Sequence, residues 1–262
     1  MFIRITQSTF TVLCIAACIQ ACSSSAPPSV PTAADHFHLG LRQYLDGDYQ
    51  EALKEFEIIR LQFPASTVSD SSRYFMGMSH FKREEYILAS YEFNQMIQSN
   101  PSSGLAGDAQ FMFAECYYML SPKPALDQSY TTRGIDALQT FIEYYPNHSK
   151  VSEAEKQLKE LVSKLAEKEY TTGVLYARLE NYSAALIYYN TVIDRYYNTK
   201  FADDAYVGRI EILLRKKRFE EARETIKTFL EKYPESPRRT DVLLLQGRLP
   251  ATLPPASSFQ QR

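Results

Sequence analysis

A short phrase recurs along this chain and leaves little freedom for its fold. It is a small residue, then residues at offsets +4, +7 and +11, then a proline at +12. Ala52 leads through Phe56 and Ile59 to Phe63-Pro64, and Ala89 leads through Phe93 and Met96 to Asn100-Pro101. Ala222 leads through Ile226 and Phe229 to Tyr233-Pro234. A fourth copy, Ala185, Tyr189, Val192 and Tyr196, has Tyr197 in place of the proline, and a fifth runs Gly134, Leu138, Phe141, Tyr145, Pro146. Offsets of four, seven and eleven mark one face of an α-helix. The small residue stands where another helix passes close by, and the proline ends the helix because it cannot donate a backbone hydrogen bond.

Each of these helices needs a partner upstream. Gly40, Gly77 and Gly173 lie twelve residues before their small marks, and Ala114 takes the same role ahead of an enlarged connection. Every unit is therefore a hairpin of two helices joined by a turn such as Asp46-Gly47-Asp48. The pattern resembles the tetratricopeptide repeat, a two-helix unit of about 34 residues, and it covers about residues 33 to 248. The fold expected is an all-α tetratricopeptide-repeat solenoid of about five helical hairpins. Two positions depart from the pattern: Ile210 replaces the first small residue of the last copy, and Tyr197 replaces a proline.

Composition agrees with helix. Of 262 residues 45% are apolar and only 9 are Gly. The 29 Lys and Arg nearly balance the 31 Asp and Glu, which gives no reason to expect a nucleic-acid partner. The N-terminus stands apart. Arg4 precedes an uncharged stretch, Ile5 to Ala21, that reads as a signal peptide over residues 1–21 rather than a membrane span. It ends in Ile19-Gln20-Ala21-Cys22, followed by Ser and Pro. That sequence resembles a bacterial lipobox and makes Cys22 the expected acylated residue, with residues 22–32 as a flexible tether. Ile15-Ala16-Ala17-Cys18 fits the same pattern, so Cys18 remains an alternative. Cys116 would then be the one thiol outside the leader and anchor, and it falls in the apolar run Phe111 to Leu120, where it reads as a small buried hydrophobe.

The helix-B marks at 52, 89, 134, 185 and 222 give steps of 37, 45, 51 and 37. The step of 45 holds a stiff Pro-rich connection around Leu120-Ser121-Pro122-Lys123-Pro124. The step of 51 has extra residues equal to almost four helical turns. Because Gly173 then keeps its face, one extended helix is predicted around 149–179. Repeats 1–3 are placed at 33–146, repeats 4–5 at 147–248, and a disordered tail at 249–262.

These irregularities are similar to the BamD family, outer-membrane lipoproteins of the barrel assembly machinery. The matching residues are Leu120 to Pro124 with Leu126-Asp127-Gln128, then Lys164 to Tyr170, Tyr182, and Tyr188 to Phe201 followed by Ala202-Asp203-Asp204-Ala205. The resemblance implies an outer-membrane protein, lipid-anchored and facing the periplasm. Its N-terminal repeats would take up unfolded barrel proteins, and its C-terminal repeats would dock the barrel insertase. The competing reading is a structural or piloting lipoprotein of the same fold, serving envelope organisation or secretin assembly.

Repeat proteins bind on the concave face lined by their first helices. Side chains at −3 and +4 from the small residue of those helices are Phe37 and Tyr44, Tyr74 and Phe81, and Phe111 and Tyr118. These six are the candidate substrate groove, a ladder of rings suited to an extended aromatic-rich segment, though each ring singly also suits packing between helices. Arg42, Arg73 and Lys82 form no repeated basic pair, so a clamp for an acidic C-terminus is not expected. Tyr188, Arg195, Arg215 and Lys217 are the candidates for partner docking; a solvated helix end is the plainer reading of the basic ones. No catalytic set, no zinc spacing and no phosphate loop emerges, so neither enzyme activity, cofactor, metal nor small-molecule substrate is expected.

Overall fold

A computed structural model describes residues 30–250. The signal segment, Cys18, Cys22, most of the tether and the tail from 251 onward lie outside the described residues. Those described form eleven helices and no strand. Five hairpins follow one another: α1 (Ala33–Asp46) with α2 (Tyr49–Gln62), α3 (Ser69–Lys82) with α4 (Tyr86–Ser99), and α5 (Ala106–Leu120) with α6 (Ser129–Tyr144). Then come α7 (Val151–Arg178) with α8 (Tyr182–Arg195) and α9 (Lys200–Arg215) with α10 (Phe219–Lys232). A short α11 (Arg239–Gln246) closes the array, burying Val242 and Leu245, and Leu249 still packs on the same cluster.

The recurring phrase has a direct structural meaning. A Cβ built on Gly40 would meet Phe56 at 2.8 Å, one on Gly77 would meet Phe93 at 2.7 Å, and one on Gly173 would meet Tyr189 at 2.8 Å. The +4 ring of each second helix is therefore seated in a notch on the first. The two departures at this position keep the volume constant. Where +4 is the smaller Leu138 the notch residue is Ala114, and where it is Ile226 the notch is filled by Ile210; all four are at most 2% exposed. Close packing tolerates such compensated swaps far better than a net change in volume.

The extended helix is present as the spacing predicts: α7 has 28 residues and a length of about 42 Å. Its first half supplies Ala154 and Leu161 to the cluster of α5 and α6, and its second half supplies Ala166 to the cluster of α8 to α10. The Pro-rich connection before it is organised by one side chain. The Gln128 amide nitrogen donates to the carbonyls of Lys123 (2.9 Å), Pro124 (3.3 Å) and Leu126 (3.0 Å). Its amide oxygen accepts from the Thr131 hydroxyl at 2.7 Å. Lys164 and Lys168 of α7 reach back to Ser121 and to the Leu126 carbonyl, fastening the loop to the long helix.

The four short turns between paired helices share one device, a left-handed residue five before each small mark. It is Gly47 (φ 88°) in the first repeat, then Glu84 (61°), Glu180 (57°) and Lys217 (57°). Only the first is glycine, so the other three turns carry backbone strain. At the N-terminal end, Thr32 and Asp35 form a reciprocal capping box that starts α1. Cys116 is fully buried and burial pushes its thiol well above the ordinary range, which makes it unreactive packing material.

Candidate protein-interaction surfaces

The six groove rings lie along the first helices as the spacing places them, and they meet each other across repeats. Phe37 sits 6.1 Å from both Phe56 and Phe75, and Tyr44 packs edge-on against Phe75 at 5.3 Å. Tyr74 leans on Phe93 at 5.7 Å, and its hydroxyl is pushed up to about 12 chiefly by burial. Phe81 meets Tyr86 at 5.2 Å. Phe111 is 5% exposed, lodged against Phe141 with the Lys150 ammonium 5.5 Å from its ring. Tyr118 donates to Glu160 at 2.6 Å, a bond that raises its hydroxyl to about 12.

These rings are the seams between successive hairpins, five of them half-buried and one closed. The more open positions on that face are one residue further on. Leu45 is 74% exposed and Met119 is 46% exposed, with Lys82 between them in the ladder. The −3 and +4 rule passes over these +5 positions; a large apolar residue at a solvent-facing site of consecutive first helices is the signal that finds them.

The docking candidates fall into separate places. Arg215, at the end of α9, donates to the Tyr182 hydroxyl at 3.0 Å, and its guanidinium and the Lys216 ammonium both lie 5.6 Å from the Tyr182 ring. Lys217 follows in the strained turn. Arg195 is at the far end of α8, which runs antiparallel to α9, about 20 Å from that group. Tyr188 stacks on Tyr176 at 5.4 Å and 12°, so it is half-buried against α7 rather than free. The structure thus joins Arg215 and Lys217 around Tyr182, a residue not singled out for docking, and leaves the other two apart.

Between α7 and α9 the concave face opens into a cleft of about 490 Å³. Tyr170, Tyr189 and Gly208 lie along it, with Arg178, Glu211 and Arg215 toward one end and an Asp204–Arg238 ion pair of 2.6 Å at the other. Arg238 also reaches Asp241 at 3.2 Å. Applying the −3 rule to the fourth repeat would have singled out Tyr170.

Among the described residues no group of His, Cys, Asp and Glu is placed to hold a metal ion, and no helix is long and apolar enough to cross a membrane. Three of the four histidines face carboxylates: His36 with Glu55 at 2.7 Å, His80 with Glu85 at 2.7 Å, and His148 with Asp108 at 3.4 Å.

A stack of two-helix units with ring-in-notch packing, a concave face of rings and a mixed-charge cleft defines a tetratricopeptide solenoid. Residues 204–236 match the tetratricopeptide repeat family on their own. Over residues 31–215 the sequence matches the YfiO family, described as outer membrane lipoprotein, and the chain belongs to that family. Among its relatives is the outer membrane protein assembly factor BamD of Caulobacter vibrioides, 24% identical over 211 residues, which are 79% of this chain and 69% of that protein. The BamD of Rickettsia prowazekii is 26% identical over 188 residues, 72% of this chain and 75% of that one. Solved structures that overlay it include the TPR2AB domain of yeast Sti1 in its pHSP90 complex, with TM-score 0.40 and 14% identity over 83% of this chain and 98% of that one. A thermophilic TPR protein of Thermus thermophilus gives TM-score 0.37 and 17% identity, over 83% of this chain and 99% of that one.

Proposed function

We propose that this chain is a lipid-anchored component of the machinery that assembles β-barrel proteins into the outer membrane. It acts by binding other proteins and not as an enzyme. The observation that carries the reading is the YfiO-family match over residues 31–215, which spans both the Pro-rich connection and the long α7. Acylated Cys22 holds the chain at the outer membrane with its repeats in the periplasm. Repeats 1–3 bind unfolded barrel polypeptides along the face of Tyr44, Tyr74 and Tyr118, where the exposed Leu45 and Met119 add apolar area. Half-buried rings suit this work, because each offers an apolar edge while its body is already held in place and little side-chain entropy remains to be lost.

Repeats 4–5 dock the insertase through the edge where Arg215, Lys216 and Lys217 surround Tyr182. Cations held on an aromatic ring are pre-positioned for an acidic partner surface. The test is affinity purification of the full-length protein extracted from membranes, with partners identified by mass spectrometry. Recovery of a large outer-membrane barrel protein with periplasmic domains, near one to one, is the expected result. Recovery of a secretin or of wall-associated proteins without a barrel would overturn it in favour of a piloting or structural role.

A further inference from the structure

The cleft between α7 and α9 contains a polar group that the packing of the fold does not require. The +4 residues of the other four second helices are Phe56, Phe93, Leu138 and Ile226, none of which carries a polar atom. The fourth repeat alone has a tyrosine there. Tyr189 is 4% exposed, and its ring passes between two glycines on different helices. A Cβ on Gly173 would meet one edge of the ring at 2.8 Å, and a Cβ on Gly208 would meet the other edge at 2.7 Å and the hydroxyl at 3.0 Å. The pair of glycines forms a window through which the ring brings its hydroxyl to the cleft. Among the described residues that hydroxyl has no hydrogen-bond partner, and burial keeps it protonated, with its pKa pushed up to about 12. A buried hydroxyl without a partner costs roughly 1–3 kcal/mol, so its presence calls for a ligand that completes it.

The remaining lining says what kind of ligand fits. Arg178, Arg215 and Arg238 stand against Glu180, Asp204 and Glu211, so the cleft has no net charge. A phosphate or an acidic tail would face three carboxylates, and a polycation would face three guanidinium groups. Neutral main-chain amides offer donors and acceptors in equal number, and they match a wall on which donors and acceptors are interspersed. Val174, Ala177 and Val207 supply apolar contact for alternate side chains.

We infer that the α7–α9 cleft is a binding site for an extended, uncharged polypeptide segment, held by its main chain, with the Tyr189 hydroxyl as the buried group that reads it. The site is separate from the rings of repeats 1–3 and from the Tyr182 edge, so it goes beyond the function proposed above.

The chain contains no tryptophan, so a peptide carrying one reports binding by its own emission. The probe is an N-acetylated, C-amidated peptide of alternating Thr and Tyr with a single Trp, titrated with the full-length protein in detergent. Wild type should bind it saturably and more tightly than versions with Glu or Lys in place of Thr. Tyr189→Phe keeps the ring between its glycines and should weaken binding about fivefold, the effect of one hydrogen bond. Glu211→Arg, an exposed change outside the core, should weaken it at least as much. Absence of saturable binding by wild type, tighter binding of either charged peptide, or equal affinity for all three proteins would overturn the inference. Recovery of the barrel partner by the same preparations is scored separately. Peptide binding without that partner would sink the assembly role and leave this site standing, and partner recovery without peptide binding would do the reverse.

Discussion

The first three repeats and the last two use the same ring-in-notch core and differ in what they show to solvent. In repeats 1–3 the concave face is a run of aromatic rings closed against one another. The three His–carboxylate pairs lie in this part or at its border, where His148 meets Asp108. In repeats 4–5 the same face opens into a cleft lined by arginines, carboxylates and tyrosine hydroxyls, and no histidine follows His148. The periodic residues thus specify the scaffold, while the two or three positions per helix beside them set the kind of surface it carries.

Substitutions on either side of the long helix put that contrast to the test. The largest effect is expected at the junction. Leu161 is fully buried and a Cβ on Gly134 would meet it at 2.8 Å, so Leu161→Ala should destabilise the protein by about 2–5 kcal/mol in denaturant unfolding. If the loss were confined to repeats 4–5 by hydrogen exchange, α7 would not be seated on the N-terminal set. Next, Gly77→Ala forces a methyl against the Phe93 ring and should cost about 1–3 kcal/mol, while Gly104→Ala, with open space around it, should be nearly neutral. Equal effects would mean that the notch is not tight.

A third test concerns acid. Hydrogen bonds from Arg83 and then His80 hold the Glu85 carboxyl at about 2, below its ordinary value. Its contribution is therefore present above the unfolded carboxylate range near ~4.3 and is lost as pH falls toward 2. The stability difference between wild type and Glu85→Gln should shrink over that window; a difference independent of pH would remove the charge from the explanation. The smallest effect is in the turns. Glu180→Gly and Lys217→Gly relieve left-handed strain and should each stabilise by up to about 1 kcal/mol, less the entropy glycine adds to the unfolded chain. A loss of stability instead would show that these side chains hold the turns together.

Most of the scaffold was legible because it follows from spacing within one chain segment. The notch residues, the five hairpins and the start and end of α7 all come from offsets and from the distances between marks. The Ile210 departure looked like an irregularity in the sequence and becomes a compensated pair once Ile226 is seen beside it. The surfaces were less legible, because they depend on how far each hairpin turns relative to the next. Arg215 meets Tyr182 across 33 residues, and Tyr189 reaches Gly208 through a neighbouring repeat. Neither meeting can be read from a single helix. Gln128 escaped notice for another reason: a lone glutamine in a loop gives no hint that one nitrogen will hold three carbonyls.

The shared seat of α7 bears on how the array comes apart. A solenoid ordinarily behaves as a row of units, each leaning only on its neighbours, and it can melt at any weak joint. Here the middle joint is one uninterrupted helix with about half its length in each of two cores. Loosening either side exposes part of the same rod, so the centre should be the last place to open and fraying should begin at α1–α2 and at α11. A protease acting on the native chain should trim it from both ends toward a resistant fragment built around α5 to α9.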